Sequence, residues 1–171
     1  MKSILTERCE LTPLSKTDFD EAVLLWTNKD VRKYLGKTLS AESALRQLNR
    51  FMWVLKLKKL IRIRREYIFV VRQKDTSEFL GMLFICPHHE LRDKEISYMF
   101  LPQYWRFGYA TETLVAVLEF CKMELKLKRI VSETQTANNA SCRLLEKLGY
   151  RIENEKERFG AMQTIYVYDF L

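Results

Sequence analysis

The stretch "EISYMFLPQYWRFGYATETLVAVLEF", residues 95–120, decides the reading of this chain. Its first part, "EISYMFLP", has the β-branched and aromatic content of a strand and stops at Pro102. A short loop then leads through Gly108 into residues with helical apolar spacing. A strand-to-helix junction of this kind exposes backbone N–H groups that have no partner inside the helix, at the positive end of the helix dipole. Gly108 and Ala110 keep side-chain bulk off that surface, while Thr111 adds a hydroxyl and Arg106 a positive charge. Together they make an anion site suited to a diphosphate. The loop is neither GxxxxGK[ST] nor GxGxxG, so the two commonest phosphate-loop signatures are absent.

Working outward, Ala110, Leu114, Val117, Leu118, Cys121 and Leu125 recur three or four residues apart and predict a helix over 110–125. "RIVSETQ" (129–135) predicts a strand, and "NNASCRLLEKLGY" predicts a short helix ending at Gly149. The tail predicts two strands joined around Gly160, the second alternating Ile165 and Val167 against Tyr166, Tyr168 and Phe170. Upstream, "EYIFVVRQ" (66–73) and "EFLGMLFICP" (78–87) form a hairpin pair connected by "KDTS". "CELTPL" (9–14) is a first strand. Phe19, Ala22, Val23 and Trp26 mark one helix, and residues 40–59 a second with Ser40 as its cap. The predicted order is β-α-α-β-β-β-α-β-α-β-β, a mixed α/β sheet with one crossover helix.

No linker, repeat or composition break divides the 171 residues, which predicts one domain from 1 to 171. With 47% hydrophobic and 30% charged residues, disordered and low-complexity classes are excluded. The start lacks the apolar core of a signal peptide, and no uncharged run approaches the roughly 18 residues of a membrane span. A cytoplasmic location is expected. Cys9, Cys86, Cys121 and Cys142 lack CxxC spacing and are expected to be reduced, buried thiols. The net charge of +7 is compatible with an anionic cofactor, an acidic substrate, nucleic acid or simply solvated lysines. Its densest stretch holds Lys56, Lys58, Lys59, Arg62, Arg64 and Arg65 and reads as a polar face beside a buried one, with no specific nucleic acid expected. "CPHH" offers Cys86, His88 and His89, but adjacent histidines without a second spaced ligand pair predict no metal site. Trp26, Tyr34 and Trp53 fit either an acceptor pocket or core packing.

Three motifs in order carry a resemblance. "YWRFGYATETL" resembles the acetyl-CoA loop of GNAT acetyltransferases, [QR]xxGx[GA], and especially the RimJ/RimL-type branch with its "YWGKGYATEA". "NNASCRLLEKLGYRIE" is similar to that branch's "NxxSxxLxEKLGF", and "TERCELTPLSKTDFD" to its N-terminal "TERLxLRPLxxxDxx". Trp105 stands where many relatives have Gln or Arg, and Arg106-Phe107 replaces Gly-Lys. The resemblance implies a GNAT fold: a mostly antiparallel sheet of about seven strands flanked by about four helices, with central strands that splay to admit acetyl-CoA.

By the same resemblance, the acetyl group passes directly to an amine in a ternary complex, the acceptor being a protein N-terminal amine or a small-molecule amine. The amides of Arg106, Phe107, Gly108, Tyr109, Ala110 and Thr111 would hold the pyrophosphate. The pantetheine would lie along Met99, Phe100 and Leu101 and meet Asn138, with an N–H near Met99 or Phe100 stabilising the oxyanion. Glu95 would be the base, or else a solvated carboxylate beside Lys94. A tyrosine that many relatives use as acid aligns with Leu145, so Ser141 takes that role, or else only caps its own helix. The missing tyrosine and the altered loop leave open a non-catalytic CoA- or partner-binding module. Relatives often dimerise, which extends the expectation to a homodimer.

Overall fold

The computed structural model describes residues 3–60 and 66–170. Within them the chain opens with two short strands, β1 (Ile4–Leu5) and β2 (Cys9–Pro13). Three helices follow: α1 (Phe19–Thr27), α2 (Lys29–Arg32) and α3 (Ala41–Leu60). A meander of β3 (Tyr67–Gln73), β4 (Phe79–Pro87) and β5 (Lys94–Phe100) leads into α4 (Tyr109–Met123). The chain ends with β6 (Arg129–Gln135), α5 (Asn139–Lys147), β7 (Arg151–Arg158) and β8 (Ala161–Asp169). Eight strands form one sheet in the order β1-β2-β3-β4-β5-β6-β8-β7, antiparallel except where β5 meets β6. Two elements escaped the sequence reading, β1 and α2. Two and four residues are too few to show a hydrophobic period.

Each helix start has a local cause. Ser15 and Asp18 bond reciprocally at a 3₁₀ turn before α1, Asn28 accepts the Asp30 and Val31 amides at α2, and Ser40 Oγ accepts the Ser43 amide at α3. The sheet then separates two cores by the period of two. Ile68, Val70, Met82 and Phe84 pack against Phe19, Ala22, Leu25, Trp26, Ala44 and Leu48 on the face carrying α1 and α3. Phe69, Val71, Leu83 and Ile85 pack against Leu114, Val117, Leu118 and Cys121 of α4 and Leu145 of α5 on the other. Each large side chain so buried contributes about 1.5–3 kcal/mol, and the three-layer arrangement follows from both faces being apolar. The edges are blunted: β1 is two residues long and β7, "RIENEKER", is mostly charged.

Trp26 belongs to the core, against Phe51 and Phe84, whereas Trp53 is exposed. Cys9 and Cys121 are fully buried, but Cys86 and Cys142 are only half-buried. This corrects the expectation of four buried thiols: Cys142 packs against the α4–α5 core and Cys86 against the α1–α3 core, each only partly covered. Lys56 is exposed; Arg62, Arg64 and Arg65, and the side chains of Lys58 and Lys59, lie outside the described residues. No described helix is long and apolar enough to cross a membrane.

Candidate active site

The parallel contact between β5 and β6 consists of one Cα pair, Glu95 with Val131. Beside it the Ser132 hydroxyl donates to the Ile96 carbonyl at 2.9 Å, and beyond it β5 runs to Phe100 and β6 to Gln135 without further pairing. The sheet therefore opens between these strands, with Glu95 at the closed end and the start of α4 beyond the open end. β5 is held on its other side by β4 at Gly81. A Cβ there would lie 2.1 Å from the Met99 carbonyl oxygen and 2.9 Å from Phe100 Cα, so only glycine permits this approach. The Leu101 amide donates to the Leu80 carbonyl at 2.9 Å, which directs that N–H toward β4.

At the open end, Trp105 Nε1 donates to the Phe100 carbonyl at 2.7 Å and ties the loop to the strand. Gly108 caps α4 with φ +84°, the left-handed conformation expected of a glycine there. Arg106 shares that region at φ +67°, at a cost of about 1–2 kcal/mol for an L-residue. It stands where the resembling loop has Gly, which explains that glycine and exposes the departure as strain. Phe107 is exposed. The first helical bond runs from the Glu112 amide to the Gly108 carbonyl at 3.0 Å, leaving the Tyr109, Ala110 and Thr111 amides ahead of it.

Between the two ends, the Asn138 side chain accepts the Ser141 amide and caps α5. The Ser141 hydroxyl does not cap its own turn but lies 2.8 Å from the Tyr98 hydroxyl of β5. Burial pushes Tyr98 up to about 12, against the opposing hydrogen bond from Ser141, so the phenol is protonated at neutral pH. Leu145 is 1% exposed in the core behind it, where it could serve no reaction. A phenol is thus present near α5 after all, supplied by the strand instead of the helix.

Glu95 has unexpected neighbours. Burial, and then the charge of Glu133, raise its carboxyl to about 7. Burial of Glu133 works in the same direction, but the Arg158 guanidinium and His88 outweigh it and hold Glu133 below the ordinary carboxylate range. Arg158 pairs with both Glu133 and Glu90, and Lys156 pairs with Glu90, so the tail hairpin is bound to the β4–β5 connection. His88, Nε2 of which is 3.0 Å from Glu133, accepts the Glu90 and Leu91 amides at Nδ1, at 3.2 and 3.0 Å. Nδ1 is therefore unprotonated and Nε2 carries the hydrogen. His89 stacks on His88 and reaches Phe159 at the hairpin tip.

Ligand atoms of His88, His89 and Glu95 lie within 4.8 Å of one another, a grouping that adjacency in the sequence concealed. Both ring nitrogens of His88 are already engaged, so ligation through Nδ1 would displace the Glu90 and Leu91 amides, and ligation through Nε2 would displace Glu133. His88, Glu133, Arg158 and Tyr98 are the residues that sequence reasoning missed. Tyr98 sat inside the quoted motif, but the other three come from separate segments with no shared spacing.

The arrangement is an opening in the sheet with main-chain amides of the α4 start at its mouth, a hydroxyl pair midway and a carboxyl of raised pKa at its base. The acetyltransferase (GNAT) domain family matches residues 8–151. The uncharacterised N-acetyltransferase YoaA of Bacillus subtilis is 30% identical over 151 residues, covering 86% of this chain and 82% of that protein. An acetyltransferase (GNAT family) structure from Bacillus anthracis superposes with a TM-score of 0.82 at 23% identity, covering 98% of each chain. Mycobacterium smegmatis RimJ in complex with CoA-disulfide gives 0.81 at 20% identity, covering 98% of this chain and 87% of that one. With its splayed β5–β6 pair and the family match across both loop and helix motifs, the chain belongs to the GNAT acetyltransferases, enzymes that take their acetyl group from acetyl-CoA.

Proposed function

We propose that the chain acetylates a primary amine, bound on the α1–α3 side of the sheet, by direct attack on acetyl-CoA. The observation that carries this reading is the single Glu95–Val131 pair, which leaves an opening flanked by the α4 N-terminus and ending at Glu95. In it the amides from Arg106 to Thr111 hold the pyrophosphate, and the pantetheine extends along Met99 and Phe100 toward Glu95, past Asn138. The RimJ structure, which shares this fold and is in complex with CoA-disulfide, supports a ligand of the CoA class.

Glu95 as carboxylate takes one proton from the acceptor ammonium, and the neutral nitrogen attacks the thioester carbon. The Phe100 N–H, which the alternation of β5 turns toward the opening, stabilises the oxyanion. The C–N bond forms, the C–S bond breaks, and the nitrogen's second proton goes to the departing sulfur, so that CoA leaves as the thiol. The sulfur departs beside the Ser141 hydroxyl, which lies 2.8 Å from the Tyr98 hydroxyl and, with Tyr98 as the donor of that pair, is free to donate its hydrogen to the developing thiolate. The acceptor is a protein N-terminal amine or a small amine. Thiol release from acetyl-CoA across a panel of peptides and small amines tests the reading. Turnover on at least one is expected, and CoA binding without turnover on any would leave a binding module.

A further inference from the structure

Arg8, in the turn joining β1 to β2, has no role in the account above, yet it grips the loop that leads into α4. Its Nε lies 2.7 Å from Glu112 Oε2, and its backbone amide donates to Glu112 Oε1, also at 2.7 Å. Thr6 donates to the same Oε1 at 2.5 Å. Arg8 Nη1 donates to the Phe107 carbonyl at 3.1 Å, and the guanidinium carbon sits 4.6 Å from the Tyr109 ring centroid. A Cβ on Gly108 would come 3.4 Å from Nη2. Arg8 therefore touches or approaches each of residues 107, 108, 109 and 112.

With the arginine side chain 43% exposed, the ion pair contributes little to stability. Its geometry matters more. In a trans peptide the carbonyl oxygen and the following N–H point in opposite directions, and no peptide bond among the described residues is cis. Because Arg8 takes the Phe107 carbonyl, the Gly108 N–H must point away from Arg8. Glu112, in the first turn of α4, fixes the guanidinium while its own charge suits the helix start.

We infer that Arg8 is a positioning residue for acetyl-CoA: clamped by Glu112, it holds the Phe107–Gly108 peptide with its N–H presented to the pyrophosphate. The inference rests on the pyrophosphate site proposed above. Arg8→Met keeps the aliphatic stem over Tyr109 and removes the donors. By calorimetry it weakens CoA about 10-fold, and dephospho-CoA by the same factor, since the loop and not the 3′-phosphate is affected. KM for acetyl-CoA rises in parallel while kcat at saturation stays within about twofold. Arg8→Lys does not restore affinity, because a single ammonium lacks the fork that serves Phe107 and Glu112 together. Glu112→Gln gives a smaller loss in the same direction and covers the case in which an Arg8 variant does not fold.

An unchanged CoA affinity in both Arg8→Met and Glu112→Gln overturns the inference, as does a loss confined to CoA and spared with dephospho-CoA. A parent chain that binds no CoA removes the pyrophosphate reading and Arg8's role with it. A binding parent matched by both variants removes only the latter.

Discussion

The two ends of the β5–β6 opening use different materials. At the open end, residues 105–111 present main-chain groups, and the side chains that matter there are those kept small. At the closed end, Glu95 is surrounded by His88 and His89 from the β4–β5 connection, Glu133 from β6 and Arg158 from β7. A backbone site is made by one continuous segment, so a single substitution can obstruct it. A side-chain site spreads its properties over several elements, so single substitutions retune it.

The largest expected effect tests the backbone end. Gly108→Arg places a long side chain where φ is +84° and where its Cβ would already lie 3.4 Å from Arg8 Nη2, distorting the loop; calorimetry is expected to show acetyl-CoA affinity reduced by on the order of 100-fold or more, about 2.7 kcal/mol. Unchanged affinity would sink the assignment of the loop. Next is Glu95→Gln, which is expected to lower kcat by about 10²–10³-fold and to abolish the rising limb of the pH–rate profile near 7. A parental profile would remove Glu95 from the reaction and leave it a buried carboxyl without a catalytic part.

The same variant has a stability signature of definite sign. Glu95 titrates higher in the folded chain than its ordinary 4.5, so its ionisation costs nothing below that value and opposes folding increasingly up to about 7. Glu95→Gln should therefore raise the melting temperature at pH 8 more than at pH 4; equal shifts would show that burial does not penalise the carboxylate. Glu133→Gln, which removes the neighbouring charge, is expected to move the rising limb downward while turnover persists. A limb that stays in place would mean that burial alone sets it.

Midway along the cleft, Tyr98→Phe keeps the ring and loses one hydrogen bond, with kcat expected to fall by about 5-fold. Ser141→Ala should fall further, and the reverse ranking would make Tyr98 the group that meets the sulfur. The smallest effect returns to the loop. Arg106→Gly relieves a positive φ and is expected to stabilise the fold by up to ~1 kcal/mol while leaving the Kd for acetyl-CoA within about threefold. A larger loss of affinity would show that the Arg106 charge binds the cofactor directly.

The contrast between the ends also explains what could be read before folding. The loop was legible because strand, proline, glycine and helix follow one another within one stretch, and local rules act at that range. Ser141 and Asn138 were placed by resemblance to a motif, but the structure reassigned their hydrogen bonds: Asn138 is the cap and Ser141 turns toward Tyr98. His88 was dismissed with His89 as a pair in a turn. Its partner Glu133 lies 45 residues away and meets it only when β6 docks beside β5.

By itself the sequence determined the order of the long elements, the two apolar faces of the sheet and the glycine-bearing helix start, because periodicity and chain conformation are properties of neighbouring residues. Tertiary structure alone decided that β5 and β6 touch at one pair, that Glu133 raises Glu95 while Arg158 and His88 keep Glu133 charged, and that Arg8 reaches the Phe107 carbonyl. Those are consequences of distance and burial, and neither exists until the sheet has assembled.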